Sequence, residues 1–152
     1  LDILLLFGGG LALAAQFGKT GVSLWIGEQV SSLSVLPMVI VILAVTALVI
    51  FLTEITSNTA TAAAFIPVII GVAGGLGYTE HNVLLFAIPV ALAATCAFML
   101  PVATPPNAIA YGSGYVRIKD MIKAGFWLNI ISIFLITAIV MTIGTAVFDL
   151  KY

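Results

Sequence analysis

The sequence predicts an all-α integral membrane protein in which helical stretches are interrupted twice by polar or helix-breaking residues. Three observations predict it. Apolar residues make up 62% of the 152 and charged residues only 7%, with a mean hydropathy of +1.29, whereas a soluble domain carries about 25% charged residues. Apolar runs long enough, or nearly long enough, to cross a bilayer follow one another along the whole chain. Between them lie two short stretches, 53–61 and 101–107, dense in hydrogen-bonding side chains or in proline.

The same composition excludes several classes. The net charge of −1 gives no electrostatic footprint for nucleic acid. A single cysteine, Cys96, excludes an internal disulfide, and with His81 the only histidine no Cys/His zinc set can form. Paired carboxylates and Ser-His sets are missing too, so the chain is not expected to be an enzyme. No basic n-region or small-residue cleavage site precedes the first apolar run, which therefore does not read as a signal peptide. A start at Leu1 rather than Met points to a piece of a longer protein.

In chain order, residues 3–16 are apolar around Gly8, Gly9 and Gly10, small residues that let membrane helices approach closely. Residues 17–34 mix Lys19, Glu28 and serines with Leu24, Trp25, Ile26 and Val30, the pattern of an interfacial amphipathic helix. Residues 1–34 thus form a first unit. Residues 35–116 form a second, built on three apolar runs at 36–56, 60–76 and 83–100. The last two, at about 17 or 18 residues, sit at the lower limit for spanning. Segment 108–116 is too short to cross alone and reads, with 83–100, as one interrupted helix. Its break would lie near mid-membrane, where only protein or a water-filled cavity can satisfy free backbone groups. Residues 117–152 form the final span. Arg117, Lys119 and Lys123 favour the cytoplasmic side, which leaves the C-terminus outside and makes 36–56 and 60–76 a hairpin entering from outside. Cys96 reads as small packing, Glu80 and His81 as turn residues, and Trp25, Tyr78, Tyr115 and Trp127 as interface anchors.

The first break, TEITSNTAT at 53–61, has seven of nine residues able to hydrogen-bond through their side chains. An external loop would explain them, but Gly, Pro and Lys, the usual loop punctuation, are missing. The second, PVATPPN at 101–107, forces Thr104 toward an extended conformation and strips helical partners from the carbonyls before it. A kink without function is the alternative. Taken together, free carbonyls with Thr and Asn oxygens suit a hard cation such as Na⁺. Helices starting near Thr59 and near Asn107 would aim partial positive charge and free N–H groups at an anion. Interrupted helices meeting at the midplane are the usual architecture of secondary-transporter sites.

TEITSNTAT and the later LPVATPPNAIAYGSG resemble the divalent anion:sodium symporter family of di- and tricarboxylate transporters, and FGGG at 7–10 fits the same family. The resemblance covers essentially the whole chain. It implies one half of an inverted repeat, with a re-entrant helical hairpin tipped at 57–59 and a transmembrane helix broken at 101–107. It implies a second, N-terminal repeat outside this sequence, a homodimer in a bacterial inner membrane, and elevator-like motion of the hairpin and broken helix. It also implies that Thr53, Asn58 and the backbones of Thr56 and Ala103 bind Na⁺, the co-transported ion. Ser57, Asn58, Thr59, Thr104 and Pro105 would line a di- or tricarboxylate. No organic cofactor and no nucleic acid are expected. A Na⁺/H⁺ antiporter or an oxyanion exporter is the alternative, for which Glu54 would be the titratable group. For Glu54 itself two readings stand: a proton or cation site, or a carboxyl bonded to neighbouring Thr or backbone N–H groups that braces the hairpin.

Overall fold

The computed structural model describes residues 37–78, 80–148 and scattered helical positions between 5 and 28. The expected scaffold helix and interfacial arm of 1–34, the side chains of Glu80 and His81, and the C-terminal residues 149–152 lie outside the described residues. Every regular element among the described residues is helical. Helix α1 spans Met38–Thr53 and α2 Asn58–Gly75; a 3₁₀ turn, Glu80–Val83, leads into α3, Leu84–Ala93. Helix α4 is Pro105–Gly112. Helix α5, Ile118–Ile139, runs on through a π turn, Val140–Gly144, into α6, Thr145–Phe148.

Each helix has a readable start or stop. Helix α1 begins after Pro37, whose ring fixes φ at −53°. Helix α2 ends at Gly77, which takes φ +90° and lets the Tyr78 N–H reach back to the Ala73 carbonyl at 2.9 Å. Thr104 caps α4, with Pro105 at its first position where a missing N–H does no harm. Pro67 in α2 and Pro89 in α3 sit inside helices, as membrane helices tolerate.

The core lies between α1, α3 and α5. From α1 it takes Ile42, Thr46, Val49, Ile50 and Thr53, a stripe at helical spacing. Helix α3 contributes Leu85, Phe86, Pro89, Val90 and Ala93. Helix α5 contributes Gly125, Asn129, Ile133, Ile136 and Thr137. Helix α2 packs on α3, where the Tyr78 and Phe86 rings meet edge-on at 5.2 Å. Two buried threonines of this apolar core satisfy themselves locally: Thr46 donates to the Ile42 carbonyl at 2.7 Å and Thr137 to that of Ile133 at 2.8 Å.

Among the described residues, two stretches, Asn58–Gly75 and Ile118–Phe148, are long and apolar enough to cross a membrane. The second has a mean hydropathy of 2.5 over its apolar window, of which 28% is buried within this chain. A core helix of a soluble domain would be mostly buried. Trp127, Ile131, Phe134, Leu135, Ile143 and Val147 are instead exposed, as suits a face turned to lipid.

The structure moves both interruptions relative to the sequence expectation. The first is 54–57, because Asn58 and Thr59 already belong to α2. The second runs over 94–104 rather than 101–107: α3 stops at Ala93, ahead of every proline of the second break, and Pro105 to Asn107 form the first turn of α4. Its cause is a partner from the other interruption.

Candidate functional site

Helix α1 ends where Thr56 donates its hydroxyl to the Leu52 carbonyl at 2.9 Å and the Ile55 N–H turns back to the same oxygen at 3.2 Å. Glu54 keeps helical torsions but points into the protein, 3% exposed. Its Oε1 accepts from the N–H of Phe98 at 2.8 Å and of Met99 at 3.0 Å, and from Asn129 Nδ2 at 2.7 Å. Its Oε2 accepts from Met99 N–H at 3.0 Å and Leu100 N–H at 3.2 Å. Three successive backbone donors that a helix would have consumed are thus gathered by one carboxylate, the pairing that a buried charge requires. These bonds fit the bracing reading of Glu54, but the partners lie in the second interruption and on α5 rather than among neighbouring residues.

The carbonyls of the unwound segment are served from the other side. Asn107 Nδ2 donates to the Ala97 carbonyl at 2.9 Å and to the Leu100 carbonyl at 3.1 Å. Replacing Asn107 by alanine should deprive the Ala97 carbonyl of this donor, leave the Leu100 carbonyl with the Ala103 N–H alone, and destabilise the protein by about 1–3 kcal/mol. A thermal-unfolding series in detergent reads this directly; an unchanged midpoint would show that water fills in.

The ion-binding oxygens expected from the sequence come together in part. The Thr53 hydroxyl, fully buried, lies 2.7 Å from Asn58 Oδ1 and 3.0 Å from the Ala94 carbonyl oxygen. Thr53 and Asn58 thus meet, and Ala94 joins them, a residue that no local signal singled out. Thr56 was expected to contribute its backbone; its hydroxyl pairs with that of Thr61 and with the Leu52 carbonyl, and the residue lines the smaller of the two hollows described next. Ala103 is buried and sits on the wall of the cleft described next.

Both interruptions line one cleft. Ser57 from the first, with Asn58 and Thr59 at the start of α2, faces Thr95, Ala97, Phe98, Ala103 and Thr104 from the second and the first turn of α4, 105–107, around a volume of about 650 Å³. A neighbouring hollow of about 510 Å³ shares Ser57, Ala103, Thr104 and Pro105. All five residues expected to line an anion are therefore on these walls. Glu54 lines neither.

The two helix starts differ, against the expectation of two equivalent N-termini. Ser57, extended at φ −71° and ψ 136°, makes no side-chain cap to α2, so the first N–H groups of α2 have no intrahelical partner and can meet an anion. Helix α4 opens with Pro105 and Pro106, which carry no N–H, and the N–H of Asn107 is already held by Thr104 Oγ1 at 3.3 Å. What α4 offers the cleft is the hydroxyl hydrogen of Thr104 and the end of its dipole.

Asn107 was singled out as the start of a helix rather than for the bonds of its side chain to the unwound carbonyls, and Asn129 and Gly125 were passed over. The signal for Asn129 was present: a carboxamide in the middle of an otherwise apolar span is costly without a partner. Gly125, one turn before it, faces the same backbone: a Cβ there would lie 2.6 Å from Met99 Cα and overlap the Phe98 carbonyl.

The family model described as "Sodium:sulfate symporter transmembrane region" matches residues 1–150. A protein of Staphylococcus saprophyticus named sodium-dependent dicarboxylate transporter SdcS is 46% identical over 138 residues. Its namesake from Staphylococcus aureus strain USA300 is 48% identical over the same length. Those residues make up 91% of this chain and 26% of either relative, so the chain spans about a quarter of the proteins it resembles.

Proposed function

The chain belongs to the sodium:sulfate symporter transmembrane-region family, and from that premise we propose that the full-length protein carries di- or tricarboxylates across a membrane, driven by Na⁺. What supports this most is the cleft that both interruptions line. One wall residue, Asn58, has its carboxamide oxygen at hydrogen-bond distance from the buried Thr53 hydroxyl, which also reaches the Ala94 carbonyl. The same residue opens α2, whose start is uncapped. The oxygens suit a weakly held monovalent cation; the helix start and the hydroxyls of Ser57, Thr59 and Thr104 suit a carboxylate. Thr53, Asn58 and the backbones of Thr56 and Ala103 take the Na⁺ role, with the Ala94 carbonyl as a further oxygen. Ser57, Asn58, Thr59, Thr104 and Pro105 take the substrate role.

The coupling follows from charge. A carboxylate alone is too costly to move past an apolar barrier. Sodium ions bound beside it offset its charge and order the residues that hold it, so the loaded site crosses more readily than the half-loaded one. The hairpin and broken helix shift together against a homodimeric scaffold, with a second repeat completing the site, and the basic 117–123 segment stays cytoplasmic. A proton antiporter would place a titratable carboxylate in the cleft; Glu54 lies outside it and every contact at its oxygens is an N–H donor. The family description leaves sulfate as the rival anion. Uptake of labelled succinate by the full-length protein in proteoliposomes should require an inward Na⁺ gradient. Competition by excess citrate but not sulfate is the expected result; uptake indifferent to Na⁺, or blocked only by sulfate, would overturn the assignment.

A further inference from the structure

We infer that Glu54 and Asn129 are positioning residues for the cleft: they set the backbone of 98–100, and through it the places of Ala103 and Asn107 on the cleft wall. The inference rests on reading the cleft as a sodium and carboxylate site.

The route is short and each step is a hydrogen bond. Leu100 N–H is held by Glu54 Oε2 at 3.2 Å. The carbonyl of the same residue accepts from Ala103 N–H at 3.2 Å and from Asn107 Nδ2 at 3.1 Å. Asn107 in turn fixes Thr104 through its own N–H. A shift of the Glu54 carboxylate therefore passes through one residue to the two that flank the Thr104 cap, all of which line the cleft. Glu54 touches neither ion nor anion and acts only through that backbone.

Asn129 adds an independent observation. It is fully buried on α5, and its Oδ1 has no hydrogen-bond partner among the described residues. A residue present only to fill space would not leave a buried acceptor unpaired. What its carboxamide does gain is the 2.7 Å bond from Nδ2 to Glu54 Oε1, which adds a donor from α5 to the backbone donors that hold the carboxylate. Turning the amide over would set oxygen against oxygen, so the contact works in one orientation only.

The test uses the full-length protein in proteoliposomes, with inserted protein quantified so that rates are per molecule. Glu54→Gln preserves shape but turns one acceptor into an NH₂ group facing N–H donors. The Na⁺ concentration for half-maximal succinate uptake, and the succinate KM, should rise about tenfold or more, while the maximal rate per inserted molecule changes far less. Hydrogen exchange at 98–103 should quicken by about tenfold or more. The double variant Glu54→Gln with Asn129→Asp returns a carboxylate to the cluster and should recover part of both shifts. Asn129→Leu, which removes one bond and the unpaired acceptor together, carries the same readouts in milder form should Glu54→Gln fail to insert. A fall in inserted protein with half-saturation and exchange unchanged would mean that the pair merely stabilises the fold, and the inference would be wrong. Should the unaltered protein show no Na⁺-dependent uptake, the functional reading fails, and the exchange measurement still decides whether Glu54 and Asn129 set this backbone.

Discussion

Replacing Asn58 by alanine in the full-length protein is expected to abolish sodium-driven succinate uptake. Asn58 is the one residue in both proposed sets. Its Oδ1 stands 2.7 Å from the buried Thr53 hydroxyl, and the residue lines the cleft beside Thr104 at the uncapped start of α2. Alanine would remove an oxygen from the cation's surroundings and a carboxamide from the anion's. It would also leave Thr53 with only the Ala94 carbonyl. Losing two contacts to charged species at about 1.5 kcal/mol or more each amounts to about a hundredfold or more in coupled uptake. The α2 helix should survive, since alanine is the best helix former. Loss of uptake at normal insertion and an unchanged unfolding midpoint is therefore the expected pair of results. Uptake within a few-fold of the unaltered protein would remove Asn58 from the site.

The two interruptions were legible in the sequence as chemistry and less so as geometry. TSNT between apolar runs and ATPPN further on mark where polar groups sit in an apolar setting, and both line the cleft. The extent of the second interruption was not legible. Residues 84–100 hold one proline, Pro89, and it lies inside α3; by local propensity the helix should run on to Leu100. It stops at Ala93 because Glu54, 44 residues earlier, takes the Phe98 N–H that further helix would need. A carboxylate in an apolar run announces that it must find donors, but not which segment will unwind to supply them. The equivalence of the two helix starts failed for a reason that the sequence did contain. Two prolines at the head of α4 have no N–H to give an anion, so the burden of anion contact shifts to α2.

Gly125→Leu should produce the largest loss of stability of any single change on α5. Helix α5 can approach the unwound segment only because Gly125 has no side chain: a Cβ there would lie 2.6 Å from Met99 Cα and overlap the Phe98 carbonyl. Both obstacles are backbone, and both belong to the stretch whose N–H groups are already tied to Glu54. Neither can swing aside as a side-chain tip would, so α5 must retreat or the clamp must open. A retreat pulls Asn129, one turn further on, away from Glu54. Overpacking costs about 1–3 kcal/mol and occasionally more, and with backbone as the obstacle the upper end is expected, before the bond from Asn129 is counted. Gly74→Leu is the control: a Cβ at Gly74 meets nothing within 4 Å, so a side chain there should leave the midpoint nearly unchanged. Thermal unfolding of both variants in detergent, with light scattering to follow aggregation, separates the effect of contact from that of helix propensity. Equal midpoints for the two leucine variants would mean that α5 does not bear on the unwound segment in the assembled protein, and that the close approach at Phe98 holds nothing in place.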